Sequence, residues 1–568
     1  MLLCGATTVL AVVALEVTVT GVSGPPYENV MARLAINLQK GSERLTPIAI
    51  RRLHRQAEKD ISAALAPFGY YNPIIRSSLE KDGDSYQAEY TIDKGPPVIV
   101  REVMLQVTGQ GENNEQLLRA IAKFPVKTGD ILDQESYEQG KKKLVYLALS
   151  EGFLDAAFTE RALRINPETN TAAVQLVLDS GRQYLFGATT AIQQILEQDL
   201  LTRYLPYASG DPYNPAKLFE LQSILYRTDY FSRVVVRGQT DQIVDFHVPV
   251  DIELTAPEHL NKYTLGLGYA TDTGIRGKAD WSDRLYNSRG HKASAGLQLS
   301  ELENIVTLRY DIPQGDPRYN KLVYSLGYQD KQWDDTDTQL LTAAVAHEYS
   351  GPRFNLSGGL ELRDEVYDVG NTSGDSTLAV PSAKAGMVWA DDVLYTKRGL
   401  QASVGFLGGV KGLVSDVNFL QAMINSKAII SPIEGWRVIG RGSLGATAVD
   451  SIDSLPPSLR FYTGGDNTIR GYSYKSIGTK DSSGAVIGGR YMVVGSMELE
   501  RVVTENWSLA TFWDAGTATD DLSLDFSQGV GAGVRFRLPF GQIRLDLASG
   551  LSEDGSPLRI HLTVGGDL

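Results

Sequence analysis

The chain has 568 residues and a formal charge of -14, with 42% hydrophobic and 21% charged residues. That length allows roughly two to five domains, and the acidic balance without a basic stripe excludes a nucleic-acid binder that grips phosphates. The single cysteine, Cys4, excludes a disulfide framework and a thiolate metal site, while a mean hydropathy of -0.16 fits either a soluble protein or a barrel whose polar lumen dilutes its lipid-facing side chains.

The opening run MLLCGATTVLAVVA is shorter than the roughly 20 residues that a spanning helix needs. It reads as the apolar region of a signal peptide over residues 1–14, with small residues at Ala11 and Ala14 and no basic residues before it. No other apolar run suits a spanning helix, so any membrane span must be β. LEVTVTGVSG then alternates as a strand, helices are expected over Tyr27 to Gln39 and Pro47 to Leu65, and IIRSSLEK, a turn at Asp82 to Asp84, and SYQAEYTIDKG follow as a hairpin. This β-α-α-β-β order recurs from VREVMLQVTGQG to TAAVQLVLDSG and from QYLFGATTAI to FHVPVDIELTA. Aligning Gly69-Tyr70, Gly152-Phe153 and Tyr230-Phe231 gives a period of about 80 residues, which suits three small tandem modules better than one irregular α+β domain. The expected modules are 15–96, 97–181 and 182–257.

From Tyr263 onward period-2 alternation replaces helical spacing. Tyr263, Leu265, Leu267 and Tyr269 share one face of their strand, opposite Thr264, Gly266, Gly268 and Ala270; likewise Val530, Ala532, Val534 and Phe536 oppose Gly531, Gly533, Arg535 and Arg537. One face suits lipid and the other a wet lumen. About 305 residues at roughly 19 per strand predict about 16 antiparallel strands over 260–568, within two strands. The fold class expected is therefore α+β periplasmic modules followed by a 16-stranded antiparallel transmembrane β-barrel.

FYTGGDNTIRGYSYKSIG, residues 461–478, is the most distinctive segment, with Arg470 flanked by Ile469 and Tyr472. An exposed loop with a solvated arginine is the plain reading. Downstream, alternation places Ser496, Glu498 and Glu500 opposite Met497 and Leu499, and Phe512, Asp514 and Gly516 opposite Trp507, Leu509 and Trp513. Two strands thus offer inward acids, Glu498 and Asp514, to one arginine, and a guanidinium can hold both by bidentate hydrogen bonds.

IRGY at 469–472, GSME at 495–498 and FWDAG at 512–516 resemble motifs of the BamA-like superfamily of bacterial surface-antigen barrels: its loop-six [VI]RG[FY] motif and the motifs of its thirteenth and fourteenth strands. The GGDNTIRGYSYKSI context and GLGYATD at the first barrel strand are similar to the TamA-type translocation and assembly subunits within it. The resemblance runs from about Leu15 to Leu568. It implies that the modules are POTRA domains and that Ile469, Arg470, Gly471 and Tyr472 form a loop-six lock. It also implies a weak seam between the first and last strands, with Leu267, Gly268, Leu562 and Gly565 on the gate strands. The implied partners are a TamB-like inner-membrane-anchored protein docking on the first POTRA domain, and unfolded outer-membrane proteins, autotransporters above all. Three POTRA domains favour the TamA type over the five of BamA or the two of two-partner secretion pores. Gly565 and Gly566 in LRIHLTVGGDL leave little side-chain packing at the seam, and the final residue, Leu568, is not the usual aromatic.

The expected mechanism is templated folding, in which a barrel edge pairs with strands that cannot enter hydrocarbon unpaired. The expected location is the outer membrane with the modules in the periplasm. Lipid transport, general barrel assembly and a two-partner secretion pore stay open as alternatives, with a passive porin and an outer-membrane hydrolase further off. No cofactor, metal or nucleic acid is expected: the six histidines fall singly, His561 among them, and Asp334, Asp335 and Asp337 lack calcium-ligand spacing.

Overall fold

The computed structural model describes residues 14–566 except 43–44, 84, 271–273, 413, 522–523, 540, 553–554 and 556. The expected leader, with Cys4, lies outside the described residues apart from Ala14, which opens the first strand; Asp84, Thr271, Asp272 and Leu568 also lie outside. The chain divides into two compact units. One gathers the residues up to Ala191 with Pro206–Leu221 and Val235–Ile252, the other Ile192–Leu205, Gln222–Val234 and Glu253–Leu568.

Three small mixed sheets precede the barrel. In the first, Ser85–Asp93 is central, parallel to Ala14–Thr20 and antiparallel to Ile74–Asp82. The second has Thr171–Asp179 between Ile99–Thr108 and Ala157–Asn166, and the third has His247–Thr255 between Leu185–Ile192 and Arg233–Gly238. The first strand alternates so that Leu15, Val17 and Val19 meet the helix Pro47–Leu65, whose Ile50, Leu53, Ala57, Ile61 and Ala64 recur at three- and four-residue spacing on the buried side. Thr46 caps that helix by accepting from Ala49 N–H.

The helix expected over Tyr27 to Gln39 is instead two, Pro25–Arg33 and Ala35–Leu38, broken where Leu34 turns extended at ψ 100. Val30, Leu34 and Ile36 are all fully buried. Six residues of continuous helix would carry Ile36 to the face away from Val30, and the break brings it back. Asp60 Oδ2 meets the Ala35 N–H freed by the break, at 3.1 Å.

A joint repeats between modules in the first unit. Val98 N–H donates to Gly69 O (2.8 Å) and Leu132 N–H to Val98 O (2.9 Å); one module later Tyr184 N–H donates to Gly152 O (2.7 Å) and Tyr213 N–H to Tyr184 O (2.9 Å). Gly69 and Gly152 take φ +86 and +88, and at the third such position Asp229 takes φ +63. Tyr230, not Phe231, is therefore the counterpart of Tyr70 and Phe153. The alignment by aromatics was one residue out because Asp, which tolerates the left-handed region, stands where the other copies have glycine.

The second unit holds sixteen antiparallel strands in sequence order, from Asn261–Ala270 to Leu558–Gly565, the number expected from the alternation. The wall is uneven. The first three strands have 10, 10 and 9 residues and the last has 8, whereas the fifth to eighth, Asn320–Trp333 to Thr372–Ala390, have 14, 15, 16 and 19. Leu265 and Leu267 are 83% and 92% exposed on the outer wall. The long connection between the eleventh strand, Trp436–Val449, and the twelfth, Tyr491–Val502, folds back inside, where Phe461, Ile469 and Tyr472 pack with Met492, Val494 and Ala518.

Candidate functional site: a loop clamped beside the barrel seam

Arg470 sits at the tip of this loop and is 4% exposed. Its Nε and backbone N–H donate to Asp514 Oδ2 at 2.8 and 3.1 Å, and its second guanidinium nitrogen reaches Asp514 Oδ1 at 2.9 Å. The other terminal nitrogen donates to Glu498 Oε2 at 2.9 Å and Asp546 Oδ2 at 3.0 Å. The guanidinium also lies 3.3 Å from the Phe512 ring centroid. Period-2 alternation aims these partners inward: Ser496, Glu498 and Glu500 are buried on the twelfth strand, while Met497 and Leu499 face out. Asp514 takes the larger share of Arg470.

The motifs GSME and FWDAG lie on the twelfth and thirteenth strands, the latter being Trp507–Thr519. The expected thirteenth and fourteenth positions are each one too high, because the loop enters after the eleventh strand. The cluster also extends beyond what the sequence indicated, to a second arginine that shares the carboxylates of Arg470. Arg535, on the fourteenth strand Ser527–Leu538, pairs with Glu498 Oε1 at 2.8 Å and Asp546 Oδ1 at 2.6 Å. Asp546 stands on the fifteenth strand, Gly541–Gly550. Alternation through RLDLA would have aimed Asp546 inward, but nothing local told that the loop tip reaches so far.

His561 is not the isolated histidine it was expected to be. Buried on the sixteenth strand, its Nε2 accepts from Gly471 N–H at 3.0 Å and its Nδ1 pairs with Asp466 of the same loop. Two glycines make room for this seating. Gly471 has φ +97, and a Cβ at Gly529 would lie 2.0 Å from Arg470 O. Tyr472 hydroxyl donates to Gln528 O at 3.1 Å and accepts from Ser552 N–H at 3.0 Å. Ile469, the remaining member of the motif, is fully buried. The loop thus joins the twelfth to sixteenth strands, the last of which borders the seam.

At the seam, no ladder joins Asn261–Ala270 to Leu558–Gly565 among the described residues. Leu267 points outward on the first strand and Gly268 inward; on the last strand Leu562 shares the outward set with Ile560 and Val564, and Gly565 ends it opposite Gln542. Among the described residues no group of three or more His, Cys, Asp or Glu is placed to hold a metal ion. Asp334 and Asp335 form the turn between the fifth and sixth strands, Asn320–Trp333 and Thr336–Ser350.

Residues 286–567 match the Omp85 superfamily domain, and residues 16–94 match the POTRA domain described as TamA domain 1. The chain is 25% identical over 543 residues to the outer membrane protein assembly factor BamA of Nitratidesulfovibrio vulgaris, covering 87% of this chain and 65% of that protein. It is 20% identical to the BamA of Neorickettsia risticii, covering 62% of this chain and 50% of that one. The chain therefore spans between half and two thirds of the length of these relatives. Among solved structures, BamA of Haemophilus ducreyi lacking POTRA domains 1–3 superposes with a TM-score of 0.66 at 16% identity, over 82% of this chain and 99% of that chain, a likeness of fold.

Proposed function

This chain belongs to the Omp85 superfamily and carries a first module of the TamA POTRA type, and on that basis we propose that it is an outer-membrane protein assembly factor. It assists the insertion and secretion of autotransporters and other outer-membrane proteins by templating their strands at a lateral gate. It acts with a TamB-like inner-membrane-anchored protein docked on the first of three modules, 15–96, 97–181 and 182–257, ahead of a barrel over 260–568.

The observation that carries this reading is the seam: the ladder of sixteen strands stops between the first strand and the last among the described residues. Strand edges hold N–H and C=O groups that hydrocarbon cannot satisfy, so such an edge has its best partner in another strand. An unfolded outer-membrane protein arrives with the complementary need, and pairing at the edge meets both without any bond being made or broken. Arg470, held by Glu498 and Asp514, and His561, held to Gly471, then act as the lock that fixes the strands on one side while the other side moves.

A disulfide across the seam tests this. In a Cys4→Ser background, Leu267→Cys paired with Leu562→Cys is expected to stop client insertion when oxidised and to restore it on reduction. Insertion at the wild-type rate by fully oxidised protein refutes lateral opening. General barrel assembly is the second reading, favoured by the two relatives named BamA. Copurification of an inner-membrane-anchored partner, lost when the first module is deleted, separates the two.

A further inference from the structure

The connection between the eighth barrel strand, Thr372–Ala390, and the ninth, Arg398–Gly409, does more than reverse the chain. Its shape is fixed by its own side chains. Asp391 Oδ1 accepts from the N–H groups of Asp392, Lys397 and Arg398 at 2.9, 3.0 and 3.2 Å, and Asp392 Oδ1 from those of Leu394 and Tyr395 at 2.8 and 3.2 Å. Thr396, fully buried, donates its hydroxyl to Asp392 O at 2.6 Å.

From this turn Tyr395 enters a space between two guanidinium groups. Arg437 of the eleventh strand lies 4.3 Å from its ring centroid and Arg537 of the fourteenth 3.3 Å. Arg437 also donates to Thr396 O at 3.1 Å and forms a 2.7 Å ion pair with Glu500 of the twelfth strand, both side chains almost inaccessible. Beside Tyr395, the turn meets the residue that follows the last strand: a Cβ at Gly566 would lie 3.5 Å from Val393 O and 3.9 Å from Leu394 Cδ2. Arg544 of the fifteenth strand donates to Gly566 O at 3.1 Å. A turn leaving the wall at the eighth strand therefore touches the seam-side end of the sixteenth.

We propose that the turn Asp391–Arg398 is a latch: Tyr395, gripped by Arg437 and Arg537, holds Gly566 and the end of the last strand in place, and it lets go when the seam widens. The proposal rests on the reading of that seam as a gate. Stacked cation–aromatic contacts suit a catch that opens, being moderate in strength. At the centre of the network, Glu500 Oε1 and Arg537 Nε are buried with no hydrogen-bond partner among the described residues, so a shifted arrangement has bonds to gain.

The test is hydrogen exchange, followed by mass spectrometry, on the full chain in lipid nanodiscs, with heat-modifiable gel mobility confirming a folded barrel. Tyr395→Ala is expected to speed exchange of Leu558–Gly565 on the order of tenfold, equivalent to losing one or two desolvated cation–aromatic contacts. Tyr395→Phe, which keeps the ring, is expected to match the wild type. A Leu394→Cys/Gly566→Cys pair in the Cys4→Ser background is expected to slow that exchange when oxidised. Exchange of Leu558–Gly565 that stays within twofold of wild type in Tyr395→Ala overturns the latch, whatever happens to clients. Faster exchange in Tyr395→Ala, with client insertion unaffected by oxidising the Leu267→Cys/Leu562→Cys pair, upholds the hold of the turn on the last strand and overturns the gate.

Discussion

Replacing Arg470 by alanine removes a guanidinium that serves three carboxylates at once. Glu498 and Asp546 keep Arg535, at 2.8 and 2.6 Å. Among the described residues Asp514, with no exposed surface, keeps the backbone N–H of residue 470 at 3.1 Å, Ser496 at 2.6 Å and the more distant Arg441 at 3.8 Å, and loses every guanidinium hydrogen bond. The cost is therefore that of one buried, under-paired carboxylate, about 3–5 kcal/mol. Because the arginine ties a loop to the wall and not the wall to itself, that energy is drawn from the seating of the loop. At about 1.4 kcal/mol per factor of ten, the unseated population rises by roughly two to three and a half orders of magnitude. Arg470→Lys keeps the charge but cannot make the forked bond to Asp514, and is expected to lose about 1.5–3 kcal/mol. Adding Asp514→Asn to Arg470→Ala should recover part of the loss, since the stranded charge disappears. Hydrogen exchange across residues 461–478 measures all three. A rise below tenfold in Arg470→Ala, or no recovery in the double variant, refutes the claim that a buried charge cluster seats the loop.

Gly529→Ala places a methyl carbon against Arg470 O, and is expected to cost about 1–3 kcal/mol of loop seating with the barrel intact, read by the same exchange measurement. His561→Ala takes from the buried Gly471 N–H the imidazole acceptor at 3.0 Å and removes one of the contacts of Asp466, so about 1–3 kcal/mol should be lost and protease should cut the loop sooner; unchanged cleavage would argue against this link. In the first module, burial lowers the pKa of His54 below 6.5, where its Nδ1 meets Tyr90 hydroxyl at 2.9 Å. The folded module then binds fewer protons than the unfolded one in acid, so its stability is full above pH 6.5 and falls as pH drops below it. Thermal melting of the module should show that fall, and His54→Gln should flatten it.

The barrel and the inward aim of Glu498 and Asp514 were legible because a strand alternates with period two, so one apolar residue fixes the face of its neighbours. The clamp as a whole was not. Asp546 and Arg535 lie on strands that meet the loop tip only after it has crossed the lumen, and His561 looked isolated because its partners are a backbone N–H and an aspartate 95 residues away. The break at Leu34 escaped for a different reason: periodicity averaged over Tyr27 to Gln39 hides a single extended residue that rotates Ile36 back to the core. Tyr395 carried no signal, since an aromatic in an Asp-rich turn resembles any exposed turn until Arg437 and Arg537 close on it.

The uneven wall bears on the lipid around it. At about 3.3 Å per residue and a tilt near 40°, the 8 residues of the last strand stand about 20 Å tall, while the 19 of the eighth reach about 48 Å. The apolar band of an outer-membrane barrel is roughly 25 Å. Acyl chains against the last strand would therefore shorten or splay to match it, at a modest cost per ångström of mismatch, while the 10 residues of the first strand reach about 25 Å and match the band. Shortened acyl chains also leave a polar hairpin less hydrocarbon to cross, so on the proposed reading the low edge of the wall would ease strand entry beside the last strand.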